Sequence, residues 1–364
     1  MKSIKEQSEK AFVSPPGDTL SETLETVGIS FQEFSERSGW PVYKVEQVVR
    51  GEIGIDVHDA VVLERVLGVP VDFWLEREYQ FRLKIALLKE ENYLKNHTEW
   101  LKSFPVKEMR RIGWLPDESH KPMLLEHLLK FFGVSNHKQW EKVYFEQGKS
   151  YYSKLRLSPT TNTGAVFAWM RKGYIQGKER HLNPYRKNVF KSKLAVIKFL
   201  AFNHPLDYKT QLVRLCAEAG VKVVFTPVIN NITVEGSSRW INETPVIQLS
   251  NLFQTNDQLW NAFFILAGHV FLHPRDQIFL KKYKGGEVDL VREEEAIRFA
   301  ADYLISMDQM KELRKSVFSD ETILEYSNLL NTHPGIIVGQ LQKQRFLKGD
   351  EFDFFKIEVD MLDD

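Results

Sequence analysis

From residue 16 the chain reads as short amphipathic segments cut by glycines. Leu20, Leu24 and Val27 fall at i, i+4, i+7, the spacing of one helix face, with Asp18 placed to cap the segment and Gly28 to end it. Ser30 with Glu33 three residues on reads as a capping box over a second helix, which buries Phe34 and stops near Ser38–Gly39. Pro41, tolerated in a first helical turn, opens a third helix with an apolar stripe of Val45, Val48 and Val49, ended at Arg50–Gly51. Asp56 caps a fourth through Ala60, Leu63, Val66 and Leu67; Gly68 stops it, and Val71–Leu75 begins another turn. Short helices joined by glycine turns predict a helix-turn-helix domain over residues 16–80, after a disordered tail at 1–15.

Helical periodicity continues over residues 81–150, a predicted connector. Leu83, Leu87, Leu94 and Leu101 sit at helix-compatible spacing before Pro105 breaks the run. KPMLLEHLLKFFGV ends at Gly133, and Ser135 is placed to cap a segment holding Trp140 and Tyr144. Residues 166–179 and 191–203 read as two more helices. The period then changes. VKVVFTPV (221–228), ITVEG, SRWI and PVIQLS (245–250) read as strands of a small sheet, with a turn region at Gly236–Arg239. LWNAFFILAGHVFLH (259–273) is apolar on nearly every face and predicts a buried helix, followed by REEEAIRFAADYLIS from near Arg292. The expected fold is mainly α: a helix-turn-helix bundle, a helical connector, an α+β domain over 151–310 with a small sheet, and a helical and strand extension over 311–364.

Composition narrows the class. At 364 residues, 43% apolar and 12% aromatic, the chain suggests two or three domains with ample cores. One cysteine, Cys216, rules out an internal disulfide framework and fits a reducing cytosol. No apolar run reaches about eighteen residues, and the polar N-terminus lacks a signal-peptide core, so the expectation is a cytoplasmic protein with no membrane partner. The net charge of zero hides an asymmetry. Residues 16–80 hold thirteen acidic and five basic side chains, about −8; residues 81–200 hold twenty-four basic and ten acidic, about +14. Arg171, Lys172, Arg180, Arg186, Lys187, Lys191 and Lys193 make the densest basic stretch, readable as solvated surface or as a phosphate-contacting face.

Two places carry candidate chemistry. The outward face of the third helix offers Tyr43, Lys44, Gln47 and Arg50, alongside Glu46. Amide and guanidinium groups read base edges, and cations contact phosphate. The same four side chains also suit a solvated helix face. The second place is the helix at 259–273. A zinc-peptidase helix needs H-E-x-x-H: two histidines one turn apart for the metal, and a glutamate as general base. With His269 as the second histidine, the first ligand and the base fall on Ile265 and Leu266, which do neither task. His269 and His273 are themselves four residues apart, and with Glu293 they are the residues that could in principle share a metal. A histidine on an apolar helix is more often a satisfied core residue, and no metal or other cofactor is expected.

The run PGDTLSETLETVGISFQEFSERSGWPVYKVEQVVRGEIGIDVHDAVVLERVLGVPVDFWLERE resembles the Xre-type helix-turn-helix of HigA-like antitoxins, through Gly28-Ile29-Ser30, Gly51 and Phe73-Trp74-Leu75. In that family a glutamine directly after the serine of the second helix touches DNA; here Phe31 holds that place and Gln32 follows. GVKVVFTP, RWINETPVIQLS, W-x-x-x-F-F-x-L-x-G-H-V-x-L-H and EEEAIRFAADYLI, with FAWMRKGYIQ upstream, resemble the ImmA/IrrE metallopeptidase-like domain from about residue 130 to 306. That resemblance puts Glu293 in register with the acidic zinc ligand and marks the peptidase motif as degenerate at Ile265 and Leu266. Together the resemblances imply a dimeric DNA-binding regulator or antitoxin acting on its own promoter. Its C-terminal domain would be a non-catalytic pseudoenzyme that senses a ligand, binds a cognate toxin or dimerises. The alternatives are a metalloendopeptidase with an atypical zinc site and a protein-binding antitoxin that does not read DNA.

Overall fold

The computed structural model describes residues 14–144, 162–178, 182–229, 232–281 and 289–360. They form two compact units, one of residues 14–99 with 120–125, the other of residues 100–119 with 126–360. The tail at 1–13 and Arg180 lie outside the described residues.

The first unit is built from α1 (Pro16–Val27), α2 (Phe31–Ser38), α3 (Val42–Val49), α4 (Val57–Leu67) and α5 (Val71–Asn96). Leu20, Leu24, Phe34, Trp40, Val45, Val48, Ala60, Leu63 and Trp74 make its core. Helix α1 begins at Pro16 behind Pro15, so Asp18 is not its cap but an acid in its first turn, where the helix dipole favours it. Ser30 caps α2 by accepting from the Glu33 amide, and Asp56 and Asp59 form a reciprocal capping box on α4. Gly17 lies against the backbone of α3. A Cβ there would come within 2.1 Å of the Val48 carbonyl, so only glycine lets α1 and α3 approach this closely.

Helix α5 runs unbroken across residue 80, where the sequence pattern placed a domain boundary. Its buried side chains are Trp74, Phe81, Ile85 and Leu94, while Leu83 and Leu87 are exposed. The leucine stripe therefore misidentified the buried face. Trp74, Phe81 and Ile85 lie seven and four residues apart on the other face, and aromatic bulk outweighed leucine count.

The second unit carries α6 (Val106–Arg111), α8 (His137–Tyr144), α9 (Thr163–Lys178), α10 (Lys187–Asn203) and α11 (Tyr208–Glu218); α7 (Lys121–Phe132) divides between the units. The cap of α8 is Asn136, which accepts from the Gln139 amide, rather than Ser135. Strands β1 (Lys222–Phe225), β2 (Gly236–Ile241) and β3 (Thr244–Leu249) follow, then α12 (Asn256–Leu272), β4 (Ile278–Lys281), α13 (Leu290–Leu304), α14 (Met307–Leu313), α15 (Asp320–Leu330) and α16 (Pro334–Lys343). The sheet order is β1-β3-β2-β4; β1 pairs parallel with β3, and β2 pairs antiparallel with both β3 and β4. Gly236–Arg239 belongs to β2 and is not a turn. The turn is at Asn242, whose φ of 54° is left-handed. Strand β4, four residues long, is too short to leave a period in the sequence.

Alternation along β2 separates two faces. Arg239 and Ser237 point to one side with Gln248 of β3. There the buried guanidinium donates to the Met170 carbonyl of α9 at 3.0 Å, to Gln248 Oε1 at 2.8 Å and to Ser237 Oγ at 2.6 Å. Gln248 Nε2 in turn donates to the Trp169 carbonyl at 2.8 Å, so α9 is tied to the sheet by backbone acceptors. Ile247 and Leu249 join α12, α10 and α11 in the main core on the other side.

One buried contact makes this unit acid-labile. Trp260 Nε1–H of α12 donates to His204 Nδ1 at 3.0 Å, which requires a neutral imidazole. Burial, with His333 nearby, lowers the His204 pKa from 6.5 to about 4. The unfolded chain then binds the proton more readily than the folded one. The contribution is intact above pH 6.5 and is lost as pH falls from 6.5 through 4, amounting to about 3 kcal/mol for a shift of this size. The expected result is a thermal midpoint that drops over this range in the parent and drops less in His204→Gln. Equal pH dependence in the two proteins contradicts the assignment.

Candidate functional site

The first candidate surface is the α2–turn–α3 segment. Gly39, at a φ of 74°, and Trp40 turn the chain. Trp40 is held edge-on to Phe34 at 5.7 Å, its carbonyl accepts from Ser35 Oγ at 2.5 Å, and its amide donates to Ser38 Oγ at 3.1 Å. These contacts fix where α3 starts and which face it shows. Val45 and Val48 turn inward, so Tyr43 and Arg50 project outward and Gln47 lies partly exposed between them. Gln32 is exposed on α2, its amide 3.3 Å from Glu36.

Lys44 differs from its neighbours. Its ammonium pairs with the buried Asp59 carboxylate of α4 and lies 4.3 Å over the Trp40 ring. Asp59 also serves the α4 capping box. Lys44 therefore spends its charge inside the unit. Arg50 pairs with Glu46 at 3.1 Å, and Arg37 with Glu33 at 2.5 Å.

The basic stretch of the second unit is likewise partly committed to structure. Arg171 Nε donates to the Phe131 carbonyl at 2.7 Å, Lys193 pairs with Glu218, Arg186 reaches the Glu218 carbonyl at 3.4 Å, and Lys187 lies 4.3 Å over the Phe271 ring.

The second candidate site lies where α12 ends. From Leu259 through Val270 the helix is buried almost throughout. Ile265 and Leu266 are wholly enclosed, and Leu266 is seated on β2: a Cβ on Gly236 would stand 2.6 Å from Leu266 Cδ1. No water-sized space opens at the position a catalytic base would take, and neither side chain can move a proton. His269 is buried and stacks on Phe279 of β4, with ring centroids 4.0 Å apart; His273 caps the helix.

The polar contacts form a single line. Glu293 Oε2 is 3.0 Å from His269 Nε2, His269 Nδ1 is 2.9 Å from His273 Nδ1, and His273 Nε2 is 3.0 Å from Glu295 Oε2. Burial lowers the His269 pKa, opposed by its bond to Glu293. Burial pushes the Glu293 carboxyl up, but the bond from His269 and the fields of Lys281 and Lys343 bring it below its usual value. Glu293 is thus ionised and His269 neutral at neutral pH.

His269, His273 and Glu293, separated in sequence, do come together, but not as a metal site. Two nitrogens on one tetrahedral zinc, each about 2.0 Å from it, stand roughly 3.3 Å apart. Here the close pair is Nδ1 to Nδ1, and the two Nε2 atoms address different carboxylates. Among the described residues no group of three or more His, Cys, Asp or Glu side chains is gathered to hold a metal ion. Glu295 was not foreseen; its place two residues beyond Glu293, opposite the second histidine, was the available sign. Ser238 Oγ is also buried beside His269, in a cleft lined by Trp240, Val270, Gln277 and Phe279, and has no hydrogen-bond partner among the described residues. Both nitrogens of His269 are already engaged, so it is not placed to activate that hydroxyl.

No protein-family model matches the chain, and no curated protein does. Among solved structures, an addiction module antidote protein of a HigA family from Coxiella burnetii is similar over 23% of this chain and 96% of its own length, at 24% identity and a TM-score of 0.22. A likeness at that TM-score carries no weight for the fold or the function. Among the described residues, no helix is long and apolar enough to cross a membrane.

Proposed function

We propose that this chain is a cytoplasmic DNA-binding regulator of the Xre or HigA-antitoxin type. Its C-terminal domain, resembling the ImmA/IrrE metallopeptidases, is peptidase-silent and serves sensing or dimerisation. The observation that carries the DNA reading is the outward row Tyr43, Gln47 and Arg50 on α3, set by a turn that Trp40 locks. A short helix presenting an amide and a guanidinium one turn apart suits a major groove. The silent C-terminal domain follows from Leu266, enclosed and apolar where the base would act.

Because residues 16–80 sum to about −8, binding needs two copies on a two-fold site and falls steeply with salt. The test is a gel shift with DNA from upstream of the protein's own gene, at low and moderate salt. Gln47→Ala is expected to cost about 1–3 kcal/mol and relax sequence preference if Gln47 reads a base. Arg50→Ala lowers the salt slope by about one if Arg50 contacts phosphate. Lys44→Ala separates from both: it lowers the thermal midpoint and affects DNA binding only as far as the fold is lost.

A second reading is favoured by the ion pairs. The cations of α2 and α3, Arg37, Lys44 and Arg50, each face a carboxylate, which leaves an acidic surface around Tyr43. Such a surface suits a basic protein partner, as in an antitoxin that meets its toxin through this domain. No shift at low salt, from folded and dimeric protein, decides for this reading.

A further inference from the structure

The line of contacts joining α12 to α13 does not balance with two neutral imidazoles. It contains three hydrogen bonds, Glu293 to His269, His269 to His273, and His273 to Glu295. Each needs one proton, and two neutral imidazoles carry two. With Glu293 ionised, His269 donates from Nε2, and its Nδ1 must accept from His273 Nδ1–H. That leaves the His273 Nε2 lone pair facing a Glu295 oxygen at 3.0 Å, two acceptors in contact. Reversing the tautomers moves the deficit to the other end without removing it. We infer that the folded C-terminal unit holds one further proton along Glu293–His269–His273–Glu295, and that this proton is a latch between α12 and α13 which opens as pH rises.

The surroundings decide whether such a proton is tolerable. Glu293 and Glu295 approach from α13 and favour it. Lys281 of β4 opposes protonation of His269 and, with Lys343 of α16, acts on Glu293; Arg239 of β2 lines the cleft beside His269. Lys187 of α10 is directed at Phe271, and β3 contributes the neutral Gln248. Two carboxylates in direct contact with the chain outweigh cations that touch neither ring. The outer end is also the accessible one, since the Glu295 side chain is 54% exposed and that of His273 is 3%. When the proton leaves, Glu295 can turn to water while His273 stays enclosed.

The folded state therefore binds a proton that the unfolded chain does not hold above the ordinary imidazole range. Stability from the latch is present at lower pH and is lost as pH rises through the proton's departure. The test is calorimetric unfolding of the full chain at pH 7.5 in buffers of different ionisation enthalpy, which counts protons exchanged. His204 and His333, both lowered by burial, are neutral in both states there and drop out of the count. The parent is expected to release about one proton more than Glu295→Gln, whose amide N–H donates to a neutral His273 and makes the extra proton unnecessary. Glu294→Gln, its exposed neighbour, should match the parent. Imidazole ¹⁵N spectra of the parent give a readout that needs no variant: three proton-bearing ring nitrogens across His269 and His273 support the latch, and two overturn it. Equal proton counts in the parent and Glu295→Gln overturn it as well, as does stoichiometric zinc binding that His273→Gln abolishes.

Discussion

Leu266→Glu is expected to destabilise the C-terminal unit by about 3–5 kcal/mol, the cost of an uncompensated buried charge. Leu266 has no exposed surface, rests on β2 at Gly236, and lies within a helix whose neighbours Ile265, Ala267 and Phe263 are as fully enclosed. A carboxylate there has no printed cation or donor within reach and no route to water. Most small domains are stable by only about 5–15 kcal/mol, so much of the folded population is at risk. The measurement is a urea midpoint followed by tryptophan fluorescence, since Trp260 sits in the same core. The substitution returns a glutamate to the place a peptidase would have one, so a stable and zinc-responsive variant would show that an open cleft exists here after all.

Gln248→Leu is the second large effect, expected to cost about 3–5 kcal/mol. Gln248 accepts from the buried Arg239 guanidinium through Oε1 and donates to the Trp169 carbonyl through Nε2. Leucine fills a similar volume but supplies neither group. A cation that cannot discharge loses an acceptor, and a buried carbonyl loses its donor. Gly173 of α9 packs directly on the Gln248 side chain, leaving little room to rearrange. Arg239→Met with Gln248→Leu should recover part of the loss, because the charge goes with its acceptor. If the double variant is as unstable as the sum of the singles, the two residues are not coupled as described.

The helix boundaries of the first unit were legible because local chemistry sets them. Glycines at Gly28, Gly39 and Gly68 take left-handed backbone, and Ser30 and Asp56 accept from helix-start amides within three residues. Which face of a long helix is buried was less legible. On α5 the leucine period and the aromatic period disagree, and the choice depends on what α1 and α4 present. The same limit applied to Lys44. Spacing assigned it to the outward face of α3, but Asp59, fifteen residues on, draws its ammonium inward.

At the C-terminal site the sequence settled what is absent from positions 265 and 266, because no apolar side chain ligates a metal or moves a proton whatever surrounds it. It also settled that the helix around them is enclosed, because a segment apolar on every face has nowhere else to go. The arrangement of His269, His273, Glu293 and Glu295 was decided only by the tertiary structure. Residue type leaves a histidine open to a metal, a proton or a core hydrogen bond. Packing of α13 against α12 turned each Nε2 to its own carboxylate and the two Nδ1 atoms to each other, and that orientation excludes the first use and requires the second.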